Sequence, residues 1–219
     1  MPQTRTNAFL VSLALAALSD SAIADGAVIA LHGNDRGVPA CVTCHGALGE
    51  GMPANGFPKL TGQNAEYLQA QLAAFADGRR GNAMMTPIAQ TLSADERVAV
   101  ARYFAGMSGA TASAETSRDS TATGAHLATL GRWSEGLPAC VQCHGALGAG
   151  VGTAFPALAG QSSLYIENQL RGWQLGRRPP GPLGLMKVIA SKLSAADIQE
   201  VASYFSTLPA GDPVPSAKR

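Results

Sequence analysis

Cys41-Val42-Thr43-Cys44-His45 returns 99 residues later as Cys140-Val141-Gln142-Cys143-His144. Cys-x-x-Cys-His is the attachment pattern of c-type haem: two thiols add across the vinyl groups and the adjoining histidine becomes an axial ligand of the iron. The two motifs use all 4 cysteines of the chain. Cys41, Cys44, Cys140 and Cys143 are therefore expected to hold two haem c groups covalently, with His45 and His144 on the irons. Other uses of these thiols fit less well. A zinc site built from both pairs needs them about 15–20 residues apart. A thioredoxin-like dithiol needs a βαβ setting, and no alternating strand pattern is present. A disulfide within each pair leaves the following histidines unexplained.

Working outward, the repeat extends far beyond the motif. Pro39 to Gly49 matches Pro138 to Gly148, and Phe57-Pro58-Lys59-Leu60-Thr61-Gly62-Gln63 matches Phe155-Pro156-Ala157-Leu158-Ala159-Gly160-Gln161. Tyr67, Gln71 and Leu72 match Tyr165, Gln169 and Leu170, and Gly78-Arg79-Arg80 matches Gly176-Arg177-Arg178. The second copy then carries three extra residues within Pro179 to Gly184, after which Leu92-Ser93 pairs with Leu193-Ser194 and Tyr103-Phe104 with Tyr204-Phe205. Two copies make two domains, because a solenoid needs at least three units.

Periodicity inside each copy is helical. Leu68, Leu72 and Phe75 fall at i, i+4 and i+7, and Ile166, Leu170 and Trp173 repeat the stripe. Ser93-Ala-Asp-Glu96 is a capping box opening a helix to about Gly106, and Ser194-Ala-Ala-Asp197 opens its counterpart, ending near Pro209. Shorter helices are expected around Ala27 to Leu31 and Ala125 to Leu130. The fold class is all-α: two tandem domains, each wrapped around one haem and each too small for a comfortable core of its own.

The second axial ligand decides the chemistry. Past His144 the sole methionine is Met186, with no further histidine or cysteine. Met85 holds the matching place, seven residues before Leu92 as Met186 is seven before Leu193. Met84 aligns with Leu185 and is expected to pack. Met85 and Met186 are thus the candidate iron ligands opposite His45 and His144, although methionines also fill core gaps. Met52 and Met107 lack methionine partners in the other copy. His32 and His126, the alternative bis-histidine pair, lie at unequal distances from their motifs. Pro58 and Pro156 follow the proximal histidines at near-equal spacing; a backbone carbonyl there could accept the second ring N–H and fix ring orientation. Arg79-Arg80 and Arg177-Arg178 are either solvated helix-end charges or partners for haem propionates.

The amino terminus resembles a secretory signal: Arg5, an apolar stretch from Ala8 to Leu18, and a small-x-small site at Ala22-Ile23-Ala24. The apolar stretch is too short to span a bilayer. The expected division is residues 1–24 signal peptide, 25–107 first domain, 108–125 flexible Ser/Thr-rich linker, 126–210 second domain and 211–219 tail. Charged residues make up 14% and the net charge is +1. That balance lacks the basic footprint of a nucleic-acid binder. With four ionised propionates the ferrous protein would sit at about −3, so long-range steering is weak.

On these motifs the chain resembles a dihaem class I cytochrome c of the cytochrome c4 family. The resemblance rests on the duplicated Cys-x-x-Cys-His-Gly, the Phe-Pro-x-Leu-x-Gly-Gln segments, the Gly-Arg-Arg turns, and Met85 and Met186 before Ile-Ala-x-x-Leu-Ser. It implies two cytochrome c-type domains related by a pseudo-two-fold axis, with His/Met iron in both and haem propionate edges near the interface. It also implies a periplasmic site and the shuttling of electrons toward a terminal oxidase; the chain is expected to be a monomer and an electron carrier rather than an enzyme. Expected partners are a bc-type complex, a haem-copper oxidase or a dehydrogenase, with peripheral membrane association left open. The linker is longer than the family pattern, which bears on how tightly the domains meet. The rival reading is a dihaem subunit of a periplasmic dehydrogenase, for example flavocytochrome c sulfide dehydrogenase. A catalytic dihaem enzyme, such as a peroxidase or thiosulfate oxidase, would need one iron open or differently ligated.

Overall fold

The computed structural model describes residues 25–107 and 122–210. The expected signal peptide, the linker up to residue 121 and the tail from residue 211 lie outside the described residues. In the first domain α1 (residues 25–32) is followed by α2 (Val42–His45), α3 (Ala65–Ala76), α4 (Met85–Thr91) and α5 (Ala94–Gly106). The second repeats this order as α6 (Ala122–Thr129), α7 (Val141–His144), α8 (Ser163–Gln174), α9 (Leu185–Ser191) and α10 (Ala195–Thr207). Helix α6 starts at Ala122, so residues 122–125, expected as linker, belong to a helix. Among the described residues β structure is limited to isolated bridges that close short loops, such as Met52 with Phe57 and Arg132 with Leu137.

Local chemistry sets the helix starts. Asn64 Oδ1 accepts from the Tyr67 N–H to cap α3, and Ser162 Oγ accepts from the Tyr165 N–H to cap α8. Both expected capping boxes form: Ser93 and Glu96 exchange bonds at the start of α5, and Ser194 and Asp197 do so at α10. Each box carboxylate has a further partner. Asp197 takes a bidentate pair from Arg132, at 2.7 and 2.9 Å, and Glu96 pairs with Arg36. The loop after the first helix of each domain is thereby tied to the start of its last helix.

Helices α3 and α5 pack together in the first domain, as α8 and α10 do in the second, with α6 also against α10. The expected stripes face these contacts: Leu68, Phe75, Ile166 and Leu170 are buried, as are Phe104 and Phe205. Gly26 of α1 and Gly124 of α6 permit the closest approach. A Cβ on Gly26 would lie 2.2 Å from the Ala99 carbonyl oxygen of α5, and one on Gly124 would lie 2.3 Å from that of Glu200 on α10. Only glycine allows the backbones that near. The three-residue insertion of the second domain forms a 3₁₀ turn at Pro182–Gly184 that leaves Leu183 94% exposed.

The domains meet directly despite the long linker. Gln161 reaches the backbone of Lys59, and Gln63 reaches the backbone of Ala157. Gln63 and Gln161 are repeat-equivalent, as are Lys59 and Ala157, so the contact is isologous. Arg80 donates to Tyr165 and Gln169 of the second domain, and Arg178 donates to Gln71 of the first. Each guanidinium also covers an aromatic ring of its own domain, Arg80 over Phe75 at 4.3 Å and Arg178 over Trp173 at 4.0 Å. Of the paired arginines, only Arg79 and Arg177 meet the expectation of solvated charges; Arg80 is buried and Arg178 half-buried at the interface.

Candidate haem-iron centres

Each Cys-x-x-Cys-His segment forms a single helical turn. Positions i, i+3 and i+4 of a helix share one face, so the two thiols and the imidazole project together. The turn is closed by the His45 N–H donating to the Cys41 carbonyl at 2.9 Å, repeated by His144 and Cys140 at 2.9 Å. It ends at Gly46 and Gly145, both with positive φ. The chain then doubles back, and the His45 carbonyl accepts from the Gly51 N–H, as the His144 carbonyl does from Gly150. This return brings the prolines beneath the rings.

His45 Nδ1 lies 2.9 Å from the Pro58 carbonyl oxygen, and His144 Nδ1 lies 2.8 Å from that of Pro156. A carbonyl can only accept, so Nδ1 carries the proton and Nε2 keeps its lone pair. Both imidazoles are buried. Burial lowers their pKa values below the ordinary histidine range, outweighing the opposing carbonyl bond, so the rings are neutral at pH 7. Neutral imidazole with a free Nε2 is the form that binds a metal.

Burial pushes the Cys41 and Cys140 thiols up to about 11. A redox-active dithiol has the opposite shift, toward thiolate at neutral pH. No group of three or more His, Cys, Asp or Glu side chains that could hold a bare metal ion converges among the described residues.

One cavity of about 820 Å³ runs through both domains. It is lined by both thiol pairs, both proximal histidines, Pro58, Pro156, Met85 and Met186. Met85 is placed by Asn82, whose Oδ1 accepts from the Met84 and Met85 N–H groups at the start of α4. Met84 does not pack as expected: at the first turn of a short surface helix it is 50% exposed. His32 and His126 are exposed and do not line the cavity, while Met107 packs against the cluster of Leu68 and Phe104. The cavity is strongly apolar around the thiols, which suits a porphyrin face. At the domain boundary it meets Arg80 and Arg178, which pair with no carboxylate among the described residues. Arg178 Nε is buried without a partner. Burial and then the adjacent Arg80 charge lower the Arg178 pKa. Two crowded guanidiniums beside an apolar slot suit a planar apolar group that brings its own anions, as haem does with its propionates.

Sequence reasoning overlooked part of this constellation. Gln63 and Gln161 read there only as markers of the repeat, and so did Tyr67, Tyr165 and Gln71; buried Lys59 at the same boundary gave no signal at all. Recurrence of the glutamines and tyrosines in both copies is the trace that these residues leave in the sequence.

The cytochrome c family model matches residues 32–108 and 137–209, one match per domain. A "thiosulfate dehydrogenase electron acceptor" from Thiomonas intermedia is 45% identical over 172 residues, covering 78% of this chain and 79% of that protein. A cytochrome c4 from Pseudomonas aeruginosa is 38% identical over 204 residues, covering 92% and 99%. Among solved structures, a thiosulfate dehydrogenase from Marichromatium purpuratum superposes with a TM-score of 0.81 at 39% identity. That match covers 85% of this chain but spans only 40% of the other chain's length. With two family matches over two copies of one helical unit, the chain belongs to the cytochrome c family as a dihaem member of the cytochrome c4 type, an electron carrier with two haem c groups.

Proposed function

We propose that this carrier is an electron acceptor for a thiosulfate-oxidising dehydrogenase, exported to the periplasm. Haem c supplies a one-electron ferric/ferrous couple in each domain. Cys41 with Cys44 and Cys140 with Cys143 hold the groups as thioethers. His45 and His144 present Nε2 to the irons while Pro58 and Pro156 hold their Nδ1 protons. Met85 and Met186 would each supply a thioether to an iron, and Arg80 and Arg178 would take the propionates at the domain boundary. Thioether ligation favours ferrous iron and raises the potential, which suits an acceptor. With a histidine and a methionine held on each iron, no position would be left for substrate, and the chain would exchange electrons without bond chemistry.

The observation that carries the reading is the pair of equivalent histidine–methionine cradles on one cavity. Joining two thiosulfate anions through a sulfur–sulfur bond releases two electrons, and two such sites take one each. The likeness to named thiosulfate dehydrogenase acceptors supports thiosulfate over the sulfide donor of the flavocytochrome reading. Low charge favours docking through apolar surface, and Leu48, Leu147 and Leu183 stand exposed. Stopped-flow mixing of the ferric protein with thiosulfate plus a thiosulfate dehydrogenase should give rapid reduction of both haems, with thiosulfate alone giving none. Reduction no faster than by an unrelated quinol-linked donor would return the chain to general respiratory carriage toward an oxidase.

A further inference from the structure

The two glutamines at the domain boundary do more than join surfaces. Gln161 Oε1 accepts from the Lys59 N–H at 2.9 Å, and that N–H belongs to the same peptide group whose carbonyl, on Pro58, accepts from His45 Nδ1 at 2.9 Å. The mirror arrangement holds in the second domain. Gln63 Oε1 accepts from the Ala157 N–H at 3.0 Å, and the carbonyl of that peptide, on Pro156, accepts from His144 Nδ1 at 2.8 Å. Each amide is locked in this orientation by its Nε2, which donates to the Lys59 carbonyl at 3.0 Å or the Ala157 carbonyl at 2.8 Å. Both glutamines are buried. We propose that Gln161 and Gln63 are positioning residues that act across the domain boundary, each on the proximal histidine of the opposite haem.

The physical link is one polarised peptide. Donating its N–H to glutamine shifts electron density toward its carbonyl oxygen, and hydrogen bonds in series strengthen one another on the order of 10–30% per bond. The carbonyl then draws harder on the Nδ1 proton. The imidazole becomes a more basic ligand, which favours ferric iron and lowers the potential. The iron site of each domain is in this way completed by the other domain. A glutamine that merely glued the interface would act on both haems alike.

That difference is the test, which rests on the histidine–methionine ligation proposed above. Gln161→Met keeps the side-chain length but offers only a weak acceptor. In the haem-loaded protein, potentials are followed haem by haem in a redox titration monitored by NMR, together with solvent exchange of each His Nδ1 proton in the ferrous state. Gln161→Met should raise the potential of the His45 haem by a threefold change in ferrous-to-ferric ratio, about 28 mV at 59 mV per tenfold for one electron. It should also speed exchange of the His45 Nδ1 proton and leave the His144 haem nearly unmoved. Gln63→Met should do the reverse, moving the His144 haem. If Gln161→Met does not fold, Gln161→Asn, too short to reach the peptide, should give the same sign at the same haem. Equal shifts at both haems, a shift in the variant's own domain, or no shift with intact spectra would each overturn the inference. Absence of the far-red sulfur-to-iron band in the wild-type ferric protein would instead count against the ligation itself.

Discussion

In the ligation proposed above, Met85 and Met186 are the residues on which the redox character turns, because a proximal imidazole alone would leave an iron that binds added ligands. Their side chains are half-buried at the start of short helices and reach the shared cavity. Replacing Met186 by alanine should remove half of the far-red charge-transfer intensity, lower one of the two potentials, and let carbon monoxide bind one ferrous haem per chain. Met85→Ala should do the same to the other haem. Carbon monoxide binding by wild-type ferrous protein, measured by its absorption change, would show that a methionine is not on iron. The proposal for these two residues rests on the duplication, which supplied a control: only methionines at matching places qualified. Gln161, Gln63, Arg80 and Arg178 recur just as faithfully, yet their contacts across the domain boundary were hidden. Their partners lie about a hundred residues away, and local pattern carries no sign of contact at that range.

At the scale of elements, the last helix of each domain is secured twice by one carboxylate. Asp197 caps α10 from within and anchors Arg132 from the preceding loop. The Arg132 hydrogen bonds, against some desolvation, hold the Asp197 carboxyl well below its usual range. A carboxyl depressed in the folded state contributes stability above its unfolded value, near 4, and loses it as pH falls through the lower folded value. Asp197→Asn should cost about 2 kcal/mol at pH 7, between the values typical of exposed and buried pairs. Urea unfolding at pH 7 and at pH 3 should show that difference shrinking in acid, with a constant difference counting against the assignment. The boxes themselves were plain in the sequence, since Ser-x-x-Glu and Ser-x-x-Asp before an apolar run state a helix start in four letters. The arginines that pair with them were not, being sixty residues upstream. Helix α6 began earlier than expected because Thr, Gly and Ala near a linker look like linker until Gly124 is seen against α10.

For the whole molecule, the central fact is that two small helical units surround a space they cannot fill themselves. The space of about 820 Å³ is lined mostly by apolar side chains that have no protein partner across it. An entire domain is worth only about 5–15 kcal/mol. The cofactors should therefore contribute to the fold as well as to the chemistry, and each domain should depend on its own. The variant carrying Cys140→Ser together with Cys143→Ser should retain one covalent haem by mass. Far-UV circular dichroism should fall by nearly half, and amide exchange should show α8 and α10 unprotected while α3 and α5 stay ordered. The His45 haem should then titrate at a raised potential, because an unfolded second domain withdraws Gln161 from the Lys59 peptide. Native helix content with one haem would mean that the apolar clusters around Phe205 and Ile198 suffice on their own, and that the porphyrin is a passenger in a fold already made.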